Sequence, residues 1–302
     1  MRRPPVKPWT ATWRARLPAG VLFLGATCAA TAAVAGPWVQ PRGGYFAKFS
    51  ASYLYTQNEL NSSGDKVPLL HANPLVQSGA YREVVLFSYA EYGVHDRLTL
   101  IGSLPFKIAT SSRTEISSDA GSIREIDATN AGFSDLSLGA RAALARGSRP
   151  VALEAGIKIP LGYQQMPENG GPALGTAKPD FEAALLAGAG AAHAYACVRA
   201  AYRVCGGTLD DQAGFNAEVG ASHGRMFAQA VVEGWYTTGE IATLAVSSTQ
   251  LAVNQDITKL IVTAGVRMSA HTALAAEVYH VLDGRNTAAG TTIALGFAIK
   301  TP

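Results

Sequence analysis

Apolar residues occupy every second position in many segments of the chain. Between residues 151 and 161 the odd positions are apolar, whereas the even positions hold Glu154, Lys158 and small residues. Successive side chains of a β-strand point to opposite faces, so this spacing predicts a strand with one apolar face and one polar face. A helix would bring Glu154 and Lys158 onto its apolar side.

The same alternation recurs along the chain, clearly at residues 134–144, 259–268 and 293–299. It predicts about twelve strands, and the pattern allows from about ten to about fourteen. The segments are centred near residues 50, 87, 103, 139, 155, 186, 199, 218, 232, 262, 277 and 294.

Short turns and long polar loops alternate between these segments. The predicted short turns are residues 93–97, 146–149, 191–193, 222–225 and 269–271. The predicted long loops are residues 57–78, 111–130, 163–179 and 238–255, with shorter ones at 206–212 and 283–287. Short turns at one end and long loops at the other are typical of outer-membrane barrels.

The predicted fold is therefore all-β: a transmembrane, antiparallel, up-and-down β-barrel of about twelve strands with both termini periplasmic. Hydrocarbon offers backbone amides no hydrogen-bond partner, so a spanning sheet must close on itself. No stretch after residue 40 approaches the apolar run of about 20 residues that a membrane helix needs. A soluble β-sandwich is the main alternative, because its faces also alternate.

The first 35 residues read as a secretory signal peptide. Basic residues precede an apolar stretch at 17–30, and Ala33-Val34-Ala35 forms a small-residue cleavage site before Gly36. Cleavage after Ala35 is predicted, which would leave a short lead at residues 36–43 and a barrel at residues 44–302. An uncleaved anchor helix remains the alternative.

Composition excludes several other classes of protein. Charged residues make up 16% of the chain and the net charge is +3, with five basic residues in the signal peptide. No basic stripe suggests a nucleic-acid partner. Cys197 and Cys205 would lie about 26 Å apart on one strand, too far for a disulfide, and no nearby His or Cys stands at ligand spacing. Neither a metal nor a cofactor is predicted.

Aromatic residues are concentrated near the predicted strand ends. The sequence therefore predicts that they form girdles at the two membrane interfaces, although core aromatics would show a similar distribution. They are Tyr45, Tyr53, Tyr55, Tyr89, Tyr92, Tyr163, Tyr195, Tyr202, Trp235 and Tyr236.

Three motifs resemble the outer-membrane barrels named after the meta-pathway of phenol degradation. They are Tyr92-Gly93-Val94-His95-Asp96-Arg97-Leu98-Thr99-Leu100 leading into Leu104-Pro105-Phe106, Gly132-Phe133-Ser134-Asp135-Leu136-Ser137-Leu138-Gly139-Ala140-Arg141, and Ile157-Lys158-Ile159-Pro160-Leu161-Gly162. The chain departs from that family's pattern at Ser134, which replaces a Gly, and at its end, which carries no terminal aromatic. The resemblance implies a porin-like transporter, and the family name suggests aromatic or hydrophobic solutes. The barrel is expected to be monomeric and to lie in a Gram-negative outer membrane.

Function in such a barrel should reside in the residues that face inward. Assigning each apolar face to lipid leaves a charge-balanced interior whose opposite charges should pair across strands. The predicted lumen-lining residues are Lys48, Glu83, Glu91, Lys107, Asp135, Arg141, Glu154, Lys158, Glu182, Arg199, Arg203, Glu218, Glu233, Lys259, Arg267 and Glu277. They could line a pore or act as struts that fill the interior. A one-sided basic ladder for anionic sugars is absent.

The first functional hypothesis is a non-enzymatic channel or facilitator for small molecules, in contact with outer-membrane lipid. A lipid-modifying hydrolase is the second, with His223 in a turn, His71 in a long loop and His280 beside Asp283 as its scattered candidates. No hydrolase motif of the Gly-x-Ser-x-Gly or His-Glu-x-x-His type occurs, so no catalytic residue is assigned. A structural barrel without transport is the third.

Overall fold

The alternating segments form strands throughout the part of the chain described by the computed structural model, which is residues 36–70, 76–116, 123–242 and 253–301. The predicted signal peptide lies outside these residues, as do His71 and part of the predicted loop at 238–255. Within these ranges no helix is long and apolar enough to cross a membrane.

The described residues form sixteen strands, joined by turns and loops. They are β1 (Tyr45–Thr56), β2 (Asn58–Leu60), β3 (Lys66–Pro68), β4 (Val76–His95), β5 (Leu98–Ile116), β6 (Ile123–Phe133), β7 (Asp135–Ala145), β8 (Val151–Pro160), β9 (Asp180–Gly190), β10 (Ala194–Val204), β11 (Gln212–His223), β12 (Met226–Thr237), β13 (Asp256–Arg267), β14 (Thr272–Arg285), β15 (Thr287–Ala289) and β16 (Thr291–Lys300).

The main sheet closes because β1 pairs with β16 on one side and with β4 on the other, both antiparallel. β6 and β7 form one path interrupted at Ser134, and both pair with β5. The predicted all-β, closed, antiparallel barrel of twelve strands is confirmed. Strands β15, β2 and β3 form a separate small sheet at the long-loop end.

The predicted loop at residues 111–130 is wrong over most of its length. Ser111 pairs with Ala128 and Ile116 pairs with Ile123, so β5 and β6 continue as a hairpin beyond the apolar part of the barrel. Polar side chains make the cross-strand contacts of this extension: Ser78 bonds to Thr114, and Thr110 bonds to Thr129. Its sequence therefore carries no apolar alternation, and the backbone hydrogen bonds of the ladder leave little trace in the sequence.

Large apolar side chains cover the outside of the barrel. Leu138 is 46% exposed and Leu295 is 71% exposed, and each alternates with small or polar neighbours that face inward. A soluble protein rarely exposes so continuous an apolar surface, whereas a lipid-facing barrel requires one.

The outward facing that aromatic girdles require is found for only some of the predicted aromatic residues. Tyr53, Tyr92 and Tyr202 are exposed on the outer surface. In contrast, Tyr89 is buried inside and Tyr195 donates a hydrogen bond to a carboxylate of the interior. The error arises because an aromatic side chain with a hydroxyl suits either a membrane interface or a polar interior.

The short turns and both described ends of the chain lie at the same end of the barrel. Tyr45 pairs with Tyr92 beside the turn between β4 and β5, and the Lys300 amide donates to the His271 carbonyl in the turn before β14. The predicted short turns are all found between their strands. That this end faces the periplasm remains a prediction.

The facing of β7 can be tested with one charge placed at two adjacent positions. Leu138→Arg puts a cation on the apolar outer surface and should cost about 2–4 kcal/mol of folding free energy near the membrane midplane. Ser137→Arg puts the same side chain inside, at nearly the same depth, and should cost far less. Unfolding in lipid vesicles with urea measures both, and equal losses would contradict the assigned facing.

Candidate functional site in the barrel interior

The most deeply buried ion pairs of the interior centre on Arg141. Its guanidinium contacts Glu91 at 3.0 Å and Glu154 at 2.9 Å. The Arg141 and Glu91 side chains are 2% and 3% exposed. A planar guanidinium offers five donors, so Arg141 can satisfy two carboxylates and still donate to a backbone carbonyl.

The ion pairs continue around the wall formed by β8, β9 and β10. Arg199 contacts Glu154 at 3.2 Å and also pairs with Glu182, which in turn contacts Arg203 at 2.8 Å. The Arg203 guanidinium lies 3.8 Å from the centroid of the Trp235 ring, a cation–π distance. Charges of alternating sign therefore run without interruption from β4 to β10, and the cation–π contact joins them to β12.

Lys158 forms a second layer nearer the long loops. Its ammonium lies 3.5 Å from Asp135 and 2.5 Å from Asp180, and it donates to the Thr176 hydroxyl at 2.6 Å. A compact cation with three donors suits this position between two carboxylates and a hydroxyl.

Most of the other predicted lumen residues also pair with opposite charge. The pairs are Lys48 with Glu277, Lys259 with Glu233 at 2.7 Å, and Lys107 with Glu83 at 3.8 Å. Two residues differ: Glu218 accepts from the Tyr195 hydroxyl, and Arg267 donates to the Gly224 carbonyl at 3.3 Å. That any of these residues contacts a solute remains a prediction.

The short lead before β1 runs from inside the barrel, where Gly36 and Pro37 are buried, to the barrel end, where Pro41 and Arg42 are exposed. We call residues 36–42 the N-terminal stopper. The Gln40 amide donates to the Thr99 hydroxyl at 2.7 Å, and the Gln40 side chain donates to Glu91 at 2.7 Å. Arg141 donates to the Trp38 carbonyl at 3.1 Å. The buried ion pairs therefore hold the stopper as well as the wall.

Glycines on the inner face make room for the N-terminal stopper. A Cβ atom at Gly93 would lie 2.0 Å from the Pro41 carbonyl oxygen, and one at Gly188 would lie 2.8 Å from Pro37 Cγ. The Trp38 ring packs edge-on against Tyr195, with 5.7 Å between ring centroids. Larger residues at these glycines would displace the segment.

The loop between β8 and β9 folds into the opposite mouth, and we call residues 161–179 the loop stopper. Leu174 packs with Leu69, Tyr81 and Ala109 in a buried apolar cluster. The Pro172 carbonyl accepts a hydrogen bond from Asn130 at 2.8 Å. This long loop therefore covers the barrel instead of extending into solvent.

A tyrosine links the loop stopper to the charged wall. The Tyr163 hydroxyl donates to Asp135 and accepts from the Ala177 amide at 3.0 Å. Burial, together with the hydrogen bond to the Asp135 carboxylate, raises the pKa of Tyr163 well above its usual range. The hydroxyl therefore stays protonated and keeps donating at any physiological pH.

A cavity of about 190 Å³, here called the chamber, is lined by residues of β5, β7, β8, β9 and β10, and the position of its lining along β5 places it between the levels of the two stoppers. Along β5, Thr99 contacts the N-terminal stopper, Ser103 lines the chamber and Ala109 joins the cluster beneath the loop stopper. Gly139 and Gly156 face each other across β7 and β8, so no side chain fills this part of the wall. The charged residues of the lining are Glu154, Lys158, Asp180, Glu182, Arg199 and Arg203.

Sequence reasoning missed several residues of this interior. Trp38 and Gln40 precede the first strand, where no alternation marks their position. Asp180 begins β9, at the limit of its pattern. Trp235 and Tyr195 stand at inward-facing positions of their strands, between outward-facing neighbours. The period of two could therefore have placed them inside, but the sequence analysis assigned aromatic residues to the membrane interfaces.

The hydrolase candidates do not come together in the described residues. His223 ends β11 at a turn, and the His280 ring lies 2.8 Å from the Thr291 hydroxyl on the exposed side of β14. Among the residues with assigned positions, no three His, Cys, Asp or Glu side chains converge as metal ligands. Cys197 and Cys205 carry free thiols.

Comparison with solved structures gives the same fold. The chain is similar to the COG4313 outer membrane channel from Pseudomonas putida F1, with 14% identity, a TM-score of 0.64, and coverage of 88% of this chain and 98% of that one. It is also similar to the NanC porin, with 7% identity, a TM-score of 0.47, and coverage of 84% and 100%. The CymD monoaromatic hydrocarbon channel is also similar, with 9% identity, a TM-score of 0.44, and coverage of 87% of this chain and 89% of that one.

Neither a family model nor a curated protein matches the sequence. At these identities the structural likeness shows the fold alone. The fold is that of an outer-membrane β-barrel, and the resemblance to the phenol-degradation family remains a prediction.

Removing Arg141 should destabilise the barrel more than removing an outlying cation. Arg141→Ala leaves Glu91 and Glu154 buried without their shared partner, which should cost about 3–5 kcal/mol of unfolding free energy. Lys259→Ala breaks a pair that is more than a quarter exposed on both sides, and should cost at most about 1 kcal/mol.

Urea unfolding in lipid vesicles measures the free energy of both variants. Adding Glu91→Gln to Arg141→Ala should recover part of the loss, because one of the two orphaned charges is then removed. Equal losses in the two single variants would show that burial does not govern the strength of these pairs.

Proposed function

We propose that the barrel resides in the outer membrane of a Gram-negative bacterium and passes small organic solutes through its interior. The chamber between the two stoppers carries this proposal. Its volume of about 190 Å³ can hold several water molecules or a small solute, and charged groups line it. The expected signal peptide supports export across the inner membrane. The apolar outer surface supports insertion into lipid.

The chamber does not favour one sign of charge. Lys158, Arg199 and Arg203 are matched by an equal number of carboxylates in its lining. A balanced wall can hydrogen-bond with neutral, zwitterionic or singly charged solutes, whereas selection of one ion type would require an excess of the opposite charge. The solute is therefore polar without being restricted to cations or anions.

An apolar strip lies beside the charged wall. Phe87 pairs with Pro105 and Glu91 pairs with Ile101, and alternation places Val85, Phe87, Ile101 and Pro105 on the same inner face as Glu91. A solute with a compact apolar body and one polar group would contact both surfaces. This supports aromatic acids and amino acids as candidates, in keeping with the family resemblance.

Permeability of purified protein in liposomes tests the proposal. Arabinose, phenylalanine and sodium benzoate should each enter faster than into protein-free liposomes, measured as osmotic swelling. Phenylalanine should enter at least as fast as arabinose despite its larger size, because its ring can lie on the apolar strip. Swelling no faster than that of empty liposomes would refute the channel, and entry of arabinose alone would refute the solute class.

The two stoppers stand in series with the chamber, so their resistances should add. Trp38→Ala with Gln40→Ala weakens the N-terminal stopper, and Leu174→Ala with Tyr163→Phe weakens the loop stopper. If the two stoppers contribute equally to the resistance, each pair of changes should raise single-channel conductance about twofold. All four changes together should raise conductance by more than the sum of the two separate increases.

Planar-bilayer recording provides the measurement for the stopper variants. Val198→Ala on the outer surface is the matched control and should leave conductance unchanged. Full opening by one pair of changes alone would mean that a single constriction controls passage.

A further inference from the structure

One carboxylate oxygen of the interior has no hydrogen-bond partner among the described residues. Glu218 lies on β11 with 2% of the residue exposed. Its Oε1 accepts from the Tyr195 hydroxyl, whereas its Oε2 is buried and makes no hydrogen bond within the part of the chain that the structure describes. Burying a carboxylate oxygen without a partner costs free energy, so a cation or a strong hydrogen-bond donor is expected beside this oxygen.

Two independent contacts place the start of the N-terminal stopper next to this carboxylate. A Cβ atom at Gly188 would lie 2.8 Å from Pro37 Cγ and 3.2 Å from Cys197 Cβ, and Cys197 is directly opposite Glu218 in the pairing of β10 with β11. The Trp38 ring packs on Tyr195, whose hydroxyl binds Glu218.

Neighbouring cations already have partners. Lys48 pairs with Glu277, and Arg141 is shared between Glu91 and Glu154. Rotating either toward Glu218 would leave another buried carboxylate uncompensated. The missing partner must therefore come from elsewhere, and Gly36, which is buried and directly precedes Pro37, stands at the right place in the chain.

The predicted signal cleavage would create a cation at Gly36. Hydrolysis of the peptide bond between Ala35 and Gly36 adds one water, leaving a carboxylate on Ala35 and an amine on Gly36 that takes up a proton. A buried ammonium needs a carboxylate as much as a buried carboxylate needs a cation.

We infer that the new α-ammonium of Gly36 pairs with Glu218 Oε2 and that this ion pair seats the N-terminal stopper in the barrel. Signal removal then both frees the protein from the inner membrane and supplies the charge that closes one end of the chamber. The inference rests on the expected cleavage and on the observed stopper, and it does not require that the barrel transports a solute.

Acylation of the N-terminal amine tests this pairing directly. The protein is secreted with its own signal, purified in detergent, and treated with the N-hydroxysuccinimide ester of acetic acid at pH 7. Intact mass should first show a chain that begins at Gly36. Peptide mapping then gives the rate at which Gly36 is acetylated, with the exposed lysines of the same molecule as an internal reference.

Glu218→Gln should raise the acetylation rate of Gly36 about tenfold, the factor that corresponds to the loss of one charge-assisted hydrogen bond. Glu233→Gln is the matched control, because it also removes an inner-face carboxylate but one that pairs with Lys259, and it should leave the rate unchanged. Heat-modifiable migration on gels confirms that each variant is folded.

Three results would overturn the inference: a chain that begins at a residue other than Gly36, the same Gly36 rate in Glu218→Gln and in the native protein, or an equal rise in both variants. If Glu218→Gln does not fold, Glu218→Asp keeps the charge but shortens its reach and should also raise the rate. The acetylation rate is measured without any solute, so failure of the proposed channel would leave this result unaffected.

Discussion

Closure of the sheet between β1 and β16 is the constraint on which the rest of the structure depends. A backbone amide that faces hydrocarbon without a partner costs several kcal/mol, so no strand can remain at a free edge. Closure in turn separates two environments, an outer surface that must be apolar and an interior that is cut off from bulk water. Each strand therefore alternates between them at every residue, as Leu138 and Gly139 illustrate.

The enclosed interior explains why its charges pair so consistently. With little water available, Arg141 and Glu154 would each be costly alone, and together they compensate one another and orient their neighbours. Such pairs fix the positions of the charged groups that form them. In this barrel they also position the N-terminal stopper, because Arg141 and Glu91 bind Trp38 and Gln40 with the donors and acceptors that the wall leaves free.

The two stoppers are held by different sets of contacts. Polar contacts to the charged wall hold the N-terminal stopper, whereas the loop stopper adds a buried apolar cluster around Leu174 and Leu69 to its hydrogen bonds. The N-terminal stopper also packs Pro37 against Gly188 and Trp38 against Tyr195, so its release would expose apolar surface as well.

Period-two alternation by itself determined most of the strands and the inward facing of residues such as Glu154 and Lys158, because lipid and interior impose opposite demands on successive positions. Closure of the sheet followed from the lack of hydrogen-bond partners for backbone amides in hydrocarbon. Tertiary structure alone decided what fills the interior. Trp38 meets Arg141 across about a hundred positions of sequence, and Leu174 of the loop stopper meets Leu69 and Tyr81 from distant strands and loops. Such contacts depend on barrel curvature and on the path of segments without periodicity, and local patterns encode neither.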